Sequence, residues 1–416
     1  MTGYPKYKNS KALWVDCIPE HWEDISFKYI FDIIGGNGFR VDLQGQSIGD
    51  YPFYKTSDIN GSEQYIDLAN NYVNQDIVDQ ERYNIIPENA IILSKIGEAL
   101  RKNHRKISTQ KCLIDNNLQA LVAKRNDSIN YLYYLMCAID MDWFNNEGTI
   151  PSINNDKLRQ SYVPVPSIAE QEIIAKYLNS TINTLDNIVA EKSLMIDDLC
   201  KFKESLINEA ITKGILNGRL IGNGHTEWTS YKLKYVIKLK NQASNHSIKI
   251  GLENIESGTG KYIATDSIYE GNGVQFCRGD IVYGKLRPYL KKVWLAEFEG
   301  NAVGDFYIYS VNNNFSASYV KWLMLSDLFT NLANSSTNGA KMPRVASDYI
   351  DTLQWPIPSY NEQVEIAEYL DVHTGKIDQL ITELKTQKEE LIKYRYTIIR
   401  EAVTGKIDVR DWKPEK

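Results

Sequence analysis

Two stretches of the chain place apolar residues at the spacing of a long helix seam. In the first, Leu178, Leu185, Leu199 and Leu206 follow a seven-residue period interrupted by Lys192, with Ile182, Val189, Ile196 and Ala210 offset by four. In the second, Leu370, Ile377, Leu384, Leu391 and Ile398 recur every seven residues, with Ile381 and Ala402 interleaved. This is the a/d pattern of a coiled coil. Ser167-x-x-Glu170 and Ser359-x-x-Glu362 read as capping boxes, each after a proline that keeps the preceding chain extended. The spacing therefore predicts helices beginning near residues 168 and 360, stopped by Gly214 and Gly405. Lys192, Lys203, Thr374, Lys388 and Arg395 interrupt the two stripes. Aligned, Lys192 answers Leu384 and Ile196 answers Lys388, so the helices are expected to pair with one another rather than each with a second copy of itself.

Before each helical stretch, short apolar runs sit between Gly, Asn and Pro clusters. Ala90–Ser94, Leu118–Val122, Asp280–Tyr283 and Phe306–Val311 are predicted strands, with one helix per half near 128–141 and 316–331. The halves are repeats. At an offset of 192, Pro151 matches Pro343, Pro164-Val165-Pro166-Ser167 matches Pro356-Ile357-Pro358-Ser359, and Glu170-Gln171 matches Glu362-Gln363. Ala175, Tyr177, Leu178, Asp186, Glu209, Ala210 and Ile215 align without a gap on Ala367, Tyr369, Leu370, Asp378, Glu401, Ala402 and Ile407. Upstream, Trp22, Lys28 and Tyr29 answer Trp228, Lys234 and Tyr235 at an offset of 206. The expected fold class is α+β: two mixed α/β domains separated by two long coiled-coil helices in a pseudo-twofold repeat. Residues 1–166 and 223–357 are the expected globular domains, and 167–222 and 358–416 the helical regions.

Composition narrows the function. The 416 residues contain no apolar run long enough for a bilayer, and the polar start of the chain lacks a signal-peptide core, so a cytoplasmic location without membrane contact is expected. Cys17, Cys112, Cys137, Cys200 and Cys277 are too scattered for a disulfide framework or a zinc site. A net charge of −6 argues against nucleic acid at first sight, but the basic residues are clustered. Ser94–Lys111 contains Lys95, Arg101, Lys102, Arg105, Lys106 and Lys111 against Glu98 alone. Arg278–Lys292 contains Arg278, Lys285, Arg287, Lys291 and Lys292 against Asp280. Both clusters follow the corresponding strand, and recurrence in diverged repeats points to a shared polyanion. A second loop, Asn146–Ile153, answers Asn338–Val345 and adds Lys341 and Arg344. It serves equally as a structural turn or as a presenter of polar tips to base edges. The candidate DNA contacts are thus Lys95, Arg101, Lys102, Arg105, Lys106, Lys285, Arg287, Lys291, Lys292, Lys341 and Arg344.

Catalytic patterns are missing. Gly279–Leu286 approaches a phosphate-binding loop, but Leu286 stands where a hydroxyl would hold Mg²⁺, and the intervening residues read as a strand. No dinucleotide fingerprint follows a strand. The prolines never occur in pairs, which excludes the Asp/Asn-Pro-Pro-aromatic loop of amino-methyltransferases, and the five histidines are isolated. No metal, cofactor or catalytic residue is expected.

With two variable domains, two repeated helices and no catalytic motif, the sequence resembles the specificity subunit of a type I restriction-modification system. The resemblance covers essentially the whole chain. Asp280–Ala296 is similar to a target recognition domain of that family, and the two Pro-x-Pro-Ser…Glu-Gln…Ala-x-Tyr-Leu…Asp stretches resemble its central and C-terminal shared regions. The first domain departs, with Gly97-Glu98-Ala99-Leu100 where the second has Arg287-Pro288-Tyr289-Leu290. The resemblance implies that each domain reads one half of a split, asymmetric double-stranded DNA target. It also implies that the two long coiled-coil helices are antiparallel, fix the separation of the halves and dock two DNA methyltransferase subunits, which restriction/translocase subunits then join. The methyl donor, ATP and Mg²⁺ belong to those partners. A specificity subunit for a fused nuclease-methyltransferase and a coiled-coil DNA-binding regulatory protein share many of these features.

Overall fold

The computed structural model describes residues 2–61, 63–146, 148–216, 219–220, 228–244, 246–337 and 341–414. Glu147, Asn338–Ala340 and the expected domain boundary at 222/223 lie outside them. The chain divides into two units, residues 1–192 with 387–416 and residues 193–386.

In the first unit, β1 (Phe31–Gly35), β2 (Ile91–Ser94), β3 (Arg105–Ser108) and β4 (Leu118–Ala123) form an antiparallel sheet in the order β1-β4-β2-β3. The short strand Tyr65–Ile66 adds in parallel to β3. Apolar residues cover both faces. Ile91, Leu93 and Leu121 pack with Tyr131, Leu132 and Leu135 of α1 (Ile129–Ala138), whereas Ile92, Leu118 and Ala120 face Tyr54 and Ile114. A sheet covered on both faces explains why these strands read as continuous apolar runs rather than alternating ones. α1 leads through a short helix and the strand Tyr162–Val165 to the long helix α2 (Ile168–Lys213).

The second unit repeats this order. β5 (Ile237–Lys240), β6 (Ile281–Gly284), β7 (Val293–Leu295) and β8 (Phe306–Val311) are arranged β5-β8-β6-β7, again antiparallel. The helix expected near 316–331 is two helices, α3 (Ala317–Leu325) and a second at Asp327–Ser335. Ser326 breaks them: its backbone is extended, and its side chain accepts the Phe329 N–H at 3.3 Å as an N-cap. The long helix α4 (Tyr360–Val403) follows the strand Gln354–Ile357. Gly214 and Gly405, at φ +79° and +70°, stand just beyond the ends of α2 and α4, in the left-handed region that favours glycine.

Segments of α2 and α4 pair antiparallel in each unit. In the first, Asp186 forms an ion pair with Arg395 at 3.1 Å, and Lys192 donates to Gln387 at 2.7 Å. In the second, Lys203 donates to Asp378 at 2.7 Å. Of the seam residues, Leu178, Ile182, Leu185, Leu206, Leu370, Ile377, Ile381 and Ile398 are buried. Val189, Ile196, Leu199, Leu384 and Leu391 are partly covered. The seam is continuous with the domain cores: Leu178 and Ile398 share one cluster with Leu93 and Tyr131, and Leu206 and Leu370 share another with Tyr283 and Val320.

The repeated Glu-Gln pair builds the joint between each domain and its helix. Ser167 and Ser359 accept the Glu170 and Glu362 N–H groups at 3.4 Å, as a capping box requires. The Glu170 carboxylate, however, accepts from Tyr4 at 2.6 Å and from the Trp22 indole at 3.1 Å, and Glu362 accepts from Trp228 at 3.2 Å. Buried Gln171 accepts the Ser128 N–H at 2.9 Å and donates to the Pro166 carbonyl at 3.0 Å. Gln363 does the same with Ser316 and Pro358, at 2.8 and 3.0 Å.

Candidate nucleic-acid interface

The two loops singled out by sequence meet in each domain. Beyond β2, the Gly97 N–H donates to the Pro151 carbonyl at 2.8 Å and the Ile153 N–H to the Lys95 carbonyl at 2.9 Å. Beyond β6, the Arg287 N–H donates to Pro343 at 2.8 Å and the Val345 N–H to Lys285 at 3.2 Å. The repeat thus preserves a bridge between the basic loop and the Gly/Pro turn. The sheet supplies the same anchor on the other side: the Lys95 and Lys285 N–H groups donate to the Asn117 and Asp305 carbonyls at 2.9 and 3.0 Å.

On this shared backbone the side chains differ. In the first domain, Ser152 stands where the second has Arg344. Asn146 donates to the Ser152 hydroxyl at 3.0 Å and accepts from Asn154 at 2.9 Å, giving an uncharged amide and hydroxyl edge. In the second domain, Arg344 donates twice to Asp305, at 3.1 and 2.8 Å. The hydrogen bond from Arg344 holds the Asp305 carboxyl below its ordinary range. The Lys285 ammonium lies 5.1 Å from the Tyr307 ring centre, within cation–π range. Exposed Arg287 adopts φ +52°, an uncommon conformation for a residue with a Cβ, at the start of a one-turn helix containing Pro288.

The candidate cations separate into two groups. Arg101, Lys102, Arg287, Lys341 and Arg344 are exposed, and Lys95 and Lys285 are half-buried. Arg101 pairs with Glu98 at 2.9 Å. Lys291 is largely covered, donating to Asp327 with Glu204 at 3.7 Å. Arg105, Lys106 and Lys292 are engaged by groups of the fold itself. Arg105 is 3% exposed, its guanidinium donating to the Asn103 carbonyl and side chain and to the Ile139 carbonyl, and burial lowers its pKa. Lys106 is 2% exposed and donates to the Glu63 carbonyl and carboxylate. Lys292 donates to the Leu252 and Ile255 carbonyls at 2.6 and 2.7 Å, and burial lowers its pKa too. These three cations satisfy backbone carbonyls of the fold, Arg105 and Lys106 buried and Lys292 half-buried.

The sequence reading missed the apolar tips among these cations. Tyr289 and Met342 in the second domain and Ile96 and Ile150 in the first are exposed at the bridge or beside it. Apolar residues within a basic turn were the available signal, because groove readers combine phosphate contacts with apolar contacts to bases. Among the described residues, no group of three or more His, Cys, Asp or Glu side chains is placed to hold a metal ion. No described helix is long and apolar enough to cross a membrane.

Two repeated domains that share this bridge but differ in the side chains on it, with helix segments between them in sequence, define a class of two-domain repeat proteins. Residues 19–194 and 225–394 each match the type I restriction modification DNA specificity domain, and the chain belongs to that family. It is 23% identical to the type I restriction enzyme MjaVIII specificity subunit of Methanocaldococcus jannaschii, with 98% of this chain and 97% of that protein covered. The EcoDI specificity subunit of Escherichia coli is 22% identical over 68% of this chain and 71% of its own length. Among solved structures, the HsdS subunit from Thermoanaerobacter tengcongensis shares the fold at a TM-score of 0.53 and 13% identity, covering 94% of this chain and 98% of that one. A chain from a study of complex assembly and conformational transition in a type I restriction-modification system matches at 0.70 and 11% identity, with 94% and 99% covered.

Proposed function

We propose that this chain is the non-catalytic reader of a type I restriction-modification assembly, and that it recognises a bipartite, asymmetric double-stranded DNA target. Residues 1–166 and 223–357 are the two target recognition domains in this reading. Residues 167–222 and 358–416 are the helical regions that join them and engage partners.

One observation carries the proposal. The same bridge, Gly97 to Pro151 and Arg287 to Pro343, presents an amide and hydroxyl edge in one domain and an Arg-Asp edge in the other. A common backbone with different donors and acceptors suits two readers that approach DNA alike but select different bases. Lys95, Arg101, Lys102, Lys285, Arg287, Lys341 and Arg344 are the residues assigned to DNA contact. Two DNA methyltransferase subunits dock on this chain and carry out methyl transfer, and restriction/translocase subunits supply ATP-driven movement and cleavage. Methyl donor, ATP and Mg²⁺ are held by those subunits, and the assembly acts in the cytoplasm.

The test is an exchange of residues 223–357 for the corresponding domain of a related specificity subunit, followed by mapping of methylated sites. One half-site should change and the other persist. A change in both halves, or in neither, would overturn the modular reading.

A further inference from the structure

The Arg-Asp pair of the second domain has a counterpart in the first, and its two residues differ together. Arg344 and Ser152 hold one position of the bridge, paired antiparallel with the residue after the bridge lysine, Leu286 in one domain and Ile96 in the other. Asp305 and Asn117 hold a second position, since their carbonyls accept the Lys285 and Lys95 N–H groups. An oppositely charged pair in the second domain is thus an uncharged pair in the first, on the same hydrogen-bonded backbone. The lysine is kept in both. Neither the bridge nor the sheet requires the charges, because the first domain builds both without them, and an exposed ion pair adds little to stability.

The geometry of the pair decides which donors remain. A guanidinium carries five N–H groups in a rigid fork. Arg344 donates from Nε to one Asp305 oxygen at 3.1 Å and from Nη2 to the other at 2.8 Å, so the carboxylate holds one side of the fork. Among the described residues nothing accepts from the remaining N–H groups, two on Nη1 and one on Nη2, which form the end of the side chain. The Arg344 side chain is 45% exposed. Its backbone is held as well: the Val345 N–H donates to the Lys285 carbonyl and the Tyr307 hydroxyl to the Val345 carbonyl, both at 3.2 Å. Arg344 therefore offers two parallel donors already aligned, rather than a freely swinging cation.

Two parallel donors match one base. In the major groove guanine presents O6 and N7 side by side as acceptors. Adenine sets an amino donor beside N7, thymine has a single carbonyl beside its methyl group, and cytosine offers an amino group. A phosphate fits the pair less well than it fits a free cation, because the Asp305 carboxylate would stand against its charge. The retained lysines, Lys95 and Lys285, suit phosphate, and the pair that differs suits a base.

We propose that Arg344 reads a guanine in the half-site recognised by residues 223–357, donating from Nη1 and Nη2 to O6 and N7 in the major groove, and that Asp305 is the positioning residue that fixes it for this contact. With Ser152 and Asn117 in the same places, the first domain makes no such contact, which is one source of the asymmetry of the target. This inference rests on the functional reading above.

The test uses the full chain assembled with its methyltransferase subunits. Mapping of methylated sites defines the target, and the exchange of residues 223–357 identifies the half-site that this domain reads. Duplexes of that target then carry 7-deazaguanine, which removes N7 and keeps base pairing, at each guanine of the half-site in turn. One such substitution should weaken binding of the unaltered assembly about 5-fold and leave binding of R344A unchanged. At the same position R344A should lose about 10- to 100-fold of the preference for G·C over other base pairs, with every other position of both half-sites read as before. D305A should relax that position too while binding unrelated duplex DNA more tightly, because a carboxylate is removed from the DNA surface; a purely structural loss would weaken both. D305N/R344S, which carries the first domain's pair, should still bind and lose the preference at that position alone. A half-site without guanine, or an R344A assembly that keeps full selectivity and responds to every 7-deazaguanine as the unaltered one does, would overturn the assignment. If the unaltered assembly methylates no two-part site, the functional reading itself fails and takes the assignment with it, an outcome distinct from failure of Arg344 alone.

Discussion

Replacing Asp378 with alanine should cost the unit of residues 193–386 far more than replacing Lys203 with leucine, although the two side chains form one ion pair. Asp378 accepts Lys203 on one oxygen at 2.7 Å and Lys261 on the other at 2.9 Å. Burial raises its pKa, but the two ammonium hydrogen bonds outweigh that and hold the carboxyl below its ordinary range. The side chains of Lys203 and Asp378 are 10% and 18% exposed, so D378A strands a buried ammonium. Breaking such a pair from one side costs about 3–5 kcal/mol, and the flexible lysine stem favours the low end. K203L instead places an apolar side chain in the seam and leaves Asp378 with the half-exposed Lys261, a change within about 1 kcal/mol of neutral. For a unit of this size 1 kcal/mol moves Tm by about 2–4 °C. D378A should therefore lower the melting transition by about 6–12 °C, and K203L should move it by less than about 4 °C in either direction. Thermal unfolding followed by circular dichroism measures both. The pH dependence has a definite sign. A carboxylate whose folded pKa is depressed contributes its stability fully above the unfolded carboxylate range, and loses it as pH falls through the folded value. The gap between the unaltered protein and D378A should hold constant above about pH 5 and shrink below about pH 4. Equal damage from K203L and D378A, or a gap that persists unchanged to pH 3, would refute the reasoning.

R287A/K341A should weaken DNA binding by the assembled complex and lower its salt slope by about 0.9 for each phosphate that is no longer neutralised, as read by fluorescence anisotropy across a salt series. R105M should leave that slope unchanged but destabilise the first unit by about 1–3 kcal/mol in urea unfolding, because the Asn103 and Ile139 carbonyls are left without their buried donor. E170A should lower stability by a similar amount, since one oxygen of Glu170 accepts from both Tyr4 and Trp22 and its loss leaves two covered donors unpaired. The purified chain alone should show neither methyl transfer from S-adenosylmethionine nor DNA cleavage in radiolabel and gel assays.

Much of the architecture was legible because its signals are local or periodic. The helix starts after Pro166 and Pro358, the glycine stops and the seam all follow from spacing, and the repeat exposed the correspondence of the two loops. What local pattern could not show was the destination of side chains. Glu170 and Glu362 sit at the capping-box position, yet their indole partners lie 148 and 134 residues away. Counting charge placed Arg105 and Lys106 beside Arg101 and Lys102. Strand β3 then carries the first two into the interior, where carbonyls from distant segments receive them. Lys292 follows the same rule through Leu252 and Ile255. A basic run says that cations are near in sequence; only the fold decides which of them meet solvent.

The polar interruptions of the seam carry the symmetry of the repeat. Asp186 aligns with Asp378 and Lys203 with Arg395, so the pairs Asp186–Arg395 and Lys203–Asp378 are one contact written twice with its partners exchanged. A half-length ancestor bearing one aspartate and one basic residue at these positions would satisfy both contacts by lying antiparallel to a second copy of itself, the reciprocity of an isologous dimer. In a single chain the halves need not be identical. One basic position is lysine and the other arginine, and Asp378 also accepts from a second cation, Lys261. Within one chain the two domains can carry different edges while this self-complementary contact is kept.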